Sequence, residues 1–170
     1  MAVLGGIKDR SHYGMLVRDV VMTVTPEQAR TWLTTRPPAP IMWSRGSANN
    51  EKARGLAAVM ERGEWDNDRG TDPVTGLPVE PVMISDDHGF ILGGHHRTTA
   101  VTLLGRPLAM RVLFWSKPAG WDKLTHTERQ ERQAPTIICE SCGWWSQVPE
   151  VVAAHRKRAH NESGGGTGWV

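Results

Sequence analysis

VEPVMISDDHGFILGGHHRTTAVTLLGRPLAMRVLFW, residues 79–115, carries the reading of the fold. Val79 to Ile84 is rich in apolar and β-branched side chains and predicts a strand. Asp86-Asp87-His88-Gly89 reads as a tight turn and Phe90-Ile91-Leu92 as the returning strand. Gly93-Gly94 then leads into a helix predicted from His95 to Leu104, where Gly105 stops it. Leu108 to Trp115 predicts a further strand. Strands paired around one helix imply an α+β fold, a small mixed sheet with flanking helices.

The chain before this stretch fits the same plan. Residues 12–24, HYGMLVRDVVMTV, predict one or two strands. Thr25 then suits a helix cap, Pro26 the first helical position, and Gln28 the third position of a capping box. That helix should run through Trp32 and Leu33 and end near Arg36-Pro37-Pro38. Residues 37–46 read as a proline-rich loop. A second helix is predicted over Asn49 to Arg62, with Leu56, Val59 and Met60 at helical spacing and Gly63 as the stop. Residues 64–78 hold Asp, Gly, Pro and Thr in turn-forming order.

Composition narrows the class. The chain has 170 residues, 39% of them apolar and 22% charged, as in an ordinary soluble globular protein. No apolar run approaches the ~20 residues of a membrane span, and the first residues lack a signal-peptide core. The expected setting is cytoplasmic, with no membrane partner. A net charge of +2 is too small to announce nucleic acid by itself. The eight tryptophans are at spacings that suggest packing rather than a stacking platform.

Both cysteines of the chain lie in CESC, and two histidines follow. Cys139, Cys142, His155 and His160 form C-x2-C-x12-H-x4-H, the ligand spacing of a two-Cys two-His zinc finger. A disulfide across so short a loop would be strained, so structural Zn2+ is the better reading. A four-ligand site leaves no position for substrate, and so small a module needs its metal to fold. If His155 sits at helix position 7, the base-facing positions fall near Val148, Val151 and Ala154, none of which can make bidentate base contacts. Ser146 stands where a core phenylalanine is usual, so Trp144 or Trp145 must fill that volume. Arg156, Lys157 and Arg158 offer sequence-independent DNA contact, while Trp144, Val148 and Val151 offer a protein-binding face. A stabilising cap on the main domain is a third reading.

The Gly93-Gly94-His95-His96-Arg97 run has a chemical use of its own. Glycines let a backbone approach a ligand, a helix N-terminus offers free N–H groups, and His96 and Arg97 add donors. Together they suit a phosphorylated ligand. The plainer reading is a glycine turn with two solvated histidines.

Residues 81–112 resemble the core of the ParB/sulfiredoxin superfamily, with Gly94-His95-His96-Arg97 as its signature and Thr98, Thr99 and Ala100 on the helix behind it. Thr25-Pro26-Glu27, Trp32-Leu33 and Met60-Glu61-Arg62-Gly63-Glu64-Trp65 are similar to a pattern of small ParB-like proteins common in phages and actinobacteria. The resemblance covers about 20–115. It implies nucleotide binding (ATP or CTP with Mg2+) through Gly93, Gly94, His95, His96, Arg97 and Thr98. It also implies an NTPase or a kinase that transfers phosphate to a hydroxyl, such as that of a modified DNA base. Arg97 and His96 would then clamp phosphate, and Glu27 would act as base or magnesium ligand, although the helix dipole by itself favours a glutamate in the first turn. Arg45 could reach phosphate or simply face solvent. His95 stands where sulfiredoxins carry their cysteine, so that chemistry is not expected. Gly93 stands where the related kinases carry aspartate, which favours a vestigial pocket in a non-enzymatic DNA- or protein-binding regulator.

The expected organisation is a nucleotide-binding domain over 1–115, a linker over 116–135 with room for a short helix, a ββα finger over 136–160 and a flexible tail over 161–170.

Overall fold

The computed structural model describes residues 9–37, 50–73, 76 and 79–161. Most of the proline-rich loop, Arg45 and all of the tail after Asn161 lie outside them. The chain runs β1 (Met15–Val24), α1 (Pro26–Thr34), α2 (Asn50–Glu61), β2 (Val82–Ser85), β3 (Ile91–Gly93), α3 (His95–Leu104) and β4 (Leu108–Ser116). It continues through α4 (His126–Arg132), β5 (Ile137–Ile138), β6 (Trp145–Ser146) and α5 (Pro149–His160). The fold is α+β, as the strand and helix patterns imply.

Four strands form one mixed sheet in the order β1-β4-β2-β3. β4 pairs antiparallel with β1 and parallel with β2, while β2 and β3 form an antiparallel pair. The residues of β4 explain its central place. Met110 to Trp115 are buried without a break, so both faces of that strand must be covered.

Alternation along the strand divides the work. Met110, Val112 and Phe114 face a core built with Val24, Trp32, Leu56, Met60 and Val101, supplied by β1 and helices α1 to α3. Leu113 and Trp115 face the other way, with Met83, and Trp145 of the C-terminal unit packs on them. The second unit is a small ββα module: β5 and β6 pair antiparallel, and α5 follows. It covers the sheet face that the three helices leave open.

Local signals hold the elements in place. Thr25 Oγ1 accepts the Gln28 N–H at 3.0 Å and Pro26 opens α1. Residues 116–135 carry a 3-10 turn (Trp121–Lys123) and α4, which Thr125 and Glu128 start with a reciprocal capping box. Trp121 is 2% exposed, and its indole N–H donates to the Ser11 carbonyl at 2.8 Å. Gln133 donates to the Gly14 carbonyl at 2.6 Å, so the connecting segment is bonded back to the start of the sheet.

Candidate metal centre

The ββα module brings its four polar ligands to one point. Cys139 follows β5; its N–H donates to the Trp144 carbonyl and its own carbonyl accepts from Gly143 N–H at 2.7 Å. Gly143, at φ +82°, takes the left-handed turn that closes this knuckle. Pro149 then starts α5, which carries His155 and His160, and the two imidazoles meet with ring centroids 5.2 Å apart. One ligand atom from each of Cys139, Cys142, His155 and His160 lies within 4.8 Å of all the others. Cys139 and His155 are buried, and Cys142 and His160 half-buried.

The atoms present fit a metal ion. Cys142 Sγ is 3.3 Å from His155 Nε2, a separation that two ligands of one tetrahedral ion would have. His160 Nε2 is buried and has no hydrogen-bond partner, as expected of a lone pair reserved for a metal. Burial, then the neighbouring Cys139 and Asp68, push the Cys142 thiol above its ordinary pKa. A metal must therefore displace protons to bind. Two sulfurs and two nitrogens make a closed set that could hold a metal ion and offers no further coordination position.

The unit is keyed to the sheet by charge as well as by packing. Arg111 of β4 donates from Nε to Asp19 Oδ1 at 2.8 Å, and from Nη2 to Asp19 Oδ2 and the Trp145 carbonyl. Ser146 Oγ donates to the same carboxylate and accepts from Val148 N–H. This explains the serine where a bulky apolar residue is usual. Trp144 fills the core of the module with Cys139 and Val152, while Trp145 belongs to the sheet face. Arg111 stacks on one face of Trp144 at 3.8 Å, and His155 stacks on that ring at 4.2 Å and 4°.

The loop after α2 completes the site, and sequence reasoning missed it. The Asp66 carboxylate accepts the Asp68 N–H at 2.9 Å, an Asx turn that sets the loop. Asn67 fastens the loop to β4, donating to the Ala109 carbonyl and accepting from Arg111 N–H, both at 2.9 Å. Its own carbonyl accepts the Trp144 indole N–H at 2.9 Å. Asp68 Oδ1 lies 3.1 Å from His155 Nδ1, and Arg158 donates to both Asp68 oxygens at 2.9 Å. Gly70 lies against Cys142 so closely that a Cβ there would overlap the Cys142 carbonyl. In the sequence Asp66 to Gly70 is only a polar turn, and nothing local announces a contact with Cys142, Trp144, His155 and Arg158 far along the chain.

The residues expected to hold a nucleotide stand together at the junction of β3 and α3. Gly93 pairs with Met83 in the sheet. Gly94, at φ +80°, caps α3 without a side-chain hydrogen bond, and a Cβ there would stand 2.7 Å from Val82 Cα. Thr98 Oγ1 donates back to the Gly94 carbonyl at 2.8 Å. His95 and His96 are half-buried. Burial, then Lys52 and Arg97, hold the His96 imidazole below its ordinary pKa. Arg97 is 8% exposed and ion-paired with Asp72 at 2.9 Å. Beside it a cavity of about 20 Å³, room for about one water, lies among Trp65, Asn67, Pro81, Arg97 and Arg111. Glu27 is exposed in the first turn of α1, and among the described residues no hydrogen bond or ion pair joins it to His96. On α5, Lys157 is exposed, Arg156 half-buried and Arg158 held by Asp68. Among the described residues no helix is long and apolar enough to cross a membrane.

Comparison with known protein families, curated proteins and solved structures gives no match for this chain.

Proposed function

We propose that this protein is a non-enzymatic binding module stabilised by a structural Zn2+ ion at Cys139, Cys142, His155 and His160. The observation that carries the reading is the convergence of two thiol sulfurs and two imidazole nitrogens within 4.8 Å, in a set with no position left for substrate. The ion would supply a fixed cross-link between the knuckle and α5. The chain's own residues do the rest: Trp144, Arg111 and Asp19 fasten that unit to the sheet.

The outward face of α5 is the contact surface in this reading. Arg156 and Lys157 suit phosphate, and the short apolar Val148, Val151 and Ala154 do not read bases. Arg158 already serves Asp68. DNA binding would therefore be sequence-independent, near the ~10⁻⁴–10⁻⁶ M range, and would fall steeply with salt. A protein partner using Val148 and Val151 is the alternative occupant.

A nucleotide-handling domain of the ParB/sulfiredoxin kind is a second reading. One observation favours it: α3 opens without a side-chain cap, beside His96 and near Lys52. The engagement of Arg97 by Asp72 favours the vestigial pocket instead.

Zinc content of the purified protein and thermal shifts with ATP or CTP and Mg2+ test both readings. The module predicts one tightly held zinc and no nucleotide shift. A nucleotide present at a hundredfold its Kd would add ~2.7 kcal/mol. A shift of that size, lost in His96→Ala, would replace the module with the second reading.

A further inference from the structure

Metal-binding histidines need an outer partner. The ring nitrogen that does not touch the ion is an N–H, and a hydrogen-bond acceptor there fixes both tautomer and ring orientation. Here His155 turns Nε2 toward Cys142 Sγ at 3.3 Å and Nδ1 toward Asp68 Oδ1 at 3.1 Å. Asp68 is not part of the ββα module. It lies 87 positions earlier, on the loop after α2, and its side chain is 20% exposed. Asn67 beside it is bonded to both Ala109 of β4 and Trp144 of the module. Gly70 leaves room for the Cys142 carbonyl.

We propose that Asp68 is the outer positioning residue of the metal centre, so that binding the ion and docking the C-terminal module onto the sheet are one coupled equilibrium. The proposal rests on the zinc reading above. It follows from what each contact requires. The module can present His155 in the metal-binding orientation without Asp68 only by finding another acceptor for Nδ1–H. When the module is docked, that acceptor is already in place. Docking therefore raises metal affinity, and by reciprocity the metal strengthens docking. Arg158 donates to both oxygens of the same carboxylate and is 51% exposed, so its own part is that of a surface clamp.

The test measures zinc affinity by competition with a chromophoric chelator for the full-length wild type, Asp68→Ala, Asp68→Asn and Arg158→Ala. The proposal expects a 10–100-fold loss in Asp68→Ala. Asp68→Asn, whose amide oxygen still accepts from Nδ1–H, should recover most of that loss. Arg158→Ala should stay within about fivefold of wild type, the range of an exposed ion pair. Nitrogen chemical shifts of His155 in the zinc-loaded proteins give a readout independent of folding: a hydrogen-bonded Nδ1–H in wild type and Asp68→Asn, altered in Asp68→Ala. Equal affinity of wild type and Asp68→Ala would overturn the proposal while leaving the zinc site intact. Equal losses in Asp68→Ala, Asp68→Asn and Arg158→Ala would overturn it too, reducing Asp68 to a salt bridge. A wild type that takes up no zinc would defeat the metal reading itself, and this inference with it.

Discussion

Replacing Asp19 with alanine should be among the most damaging single changes outside the metal ligands. Its carboxylate accepts both Nε and Nη2 of Arg111 and the hydroxyl of Ser146, at 8% exposure. Arg111 is 6% exposed, so Asp19→Ala strands a guanidinium between β4 and β6, left with the Trp145 carbonyl and the Trp144 and Trp145 rings but no counter-charge from Asp19. Breaking a buried pair by removing one partner costs about 3–5 kcal/mol, much of it the desolvation of the charge left behind. For a chain of this size each kcal/mol moves Tm by about 2–4 °C, so the variant should melt about 6–20 °C lower. Urea unfolding of the zinc-loaded protein gives the free energy directly. Removing the stranded charge as well, in Asp19→Ala with Arg111→Met, should recover part of the loss. Asp19→Ala within about 1 kcal/mol of wild type, or a double variant worse than the sum of the singles, would mean that this pair does not hold the two units together.

Three other outcomes follow from the same geometry. Gly94→Ala must hold a Cβ at φ +80° and 2.7 Å from Val82 Cα; the backbone strain alone is worth about 1–3 kcal/mol, measurable by urea unfolding. Trp121→Ala empties a 2%-exposed indole site and frees the Ser11 carbonyl, so about 3–5 kcal/mol should be lost, against almost nothing if residues 116–135 were only a tether. Burial holds the His96 and His12 imidazoles below their ordinary pKa, so the unfolded chain takes up protons first as pH falls below about 6.5. Stability is therefore present above that pH and lost as pH falls through the folded-state values; Tm followed from about pH 7.5 to 5 at saturating zinc should fall less in His96→Gln.

What could be read from the sequence follows the range of its interactions. The helix of His95 to Leu104 and its two bounding glycines were legible because caps and stops act over a few residues. So was the ligand set, because metal geometry fixes spacing within one short module. The unbroken apolar run of Leu108 to Trp115 marks a strand, but only the sheet order shows that its two faces meet different partners. Ser146 looked like a missing core residue, whereas it serves Asp19, 127 positions away. Arg97 looked free for phosphate, and the turn residue Asp72 claims it. Asp68 and Gly70 have meaning only once α5 and the knuckle lie against their loop.

If the metal holds the C-terminal module onto the second face of the sheet, amide hydrogen exchange must differ between the zinc-bound and the chelated protein. With zinc, the amides of Cys139, Gly143 and α5 should be protected, along with Arg111 N–H, which Asn67 holds. After chelation those amides should exchange freely, while the helix-covered side at Val24, Leu56 and Val101 keeps its protection. Unchanged protection of the module after its metal is stripped would contradict the account.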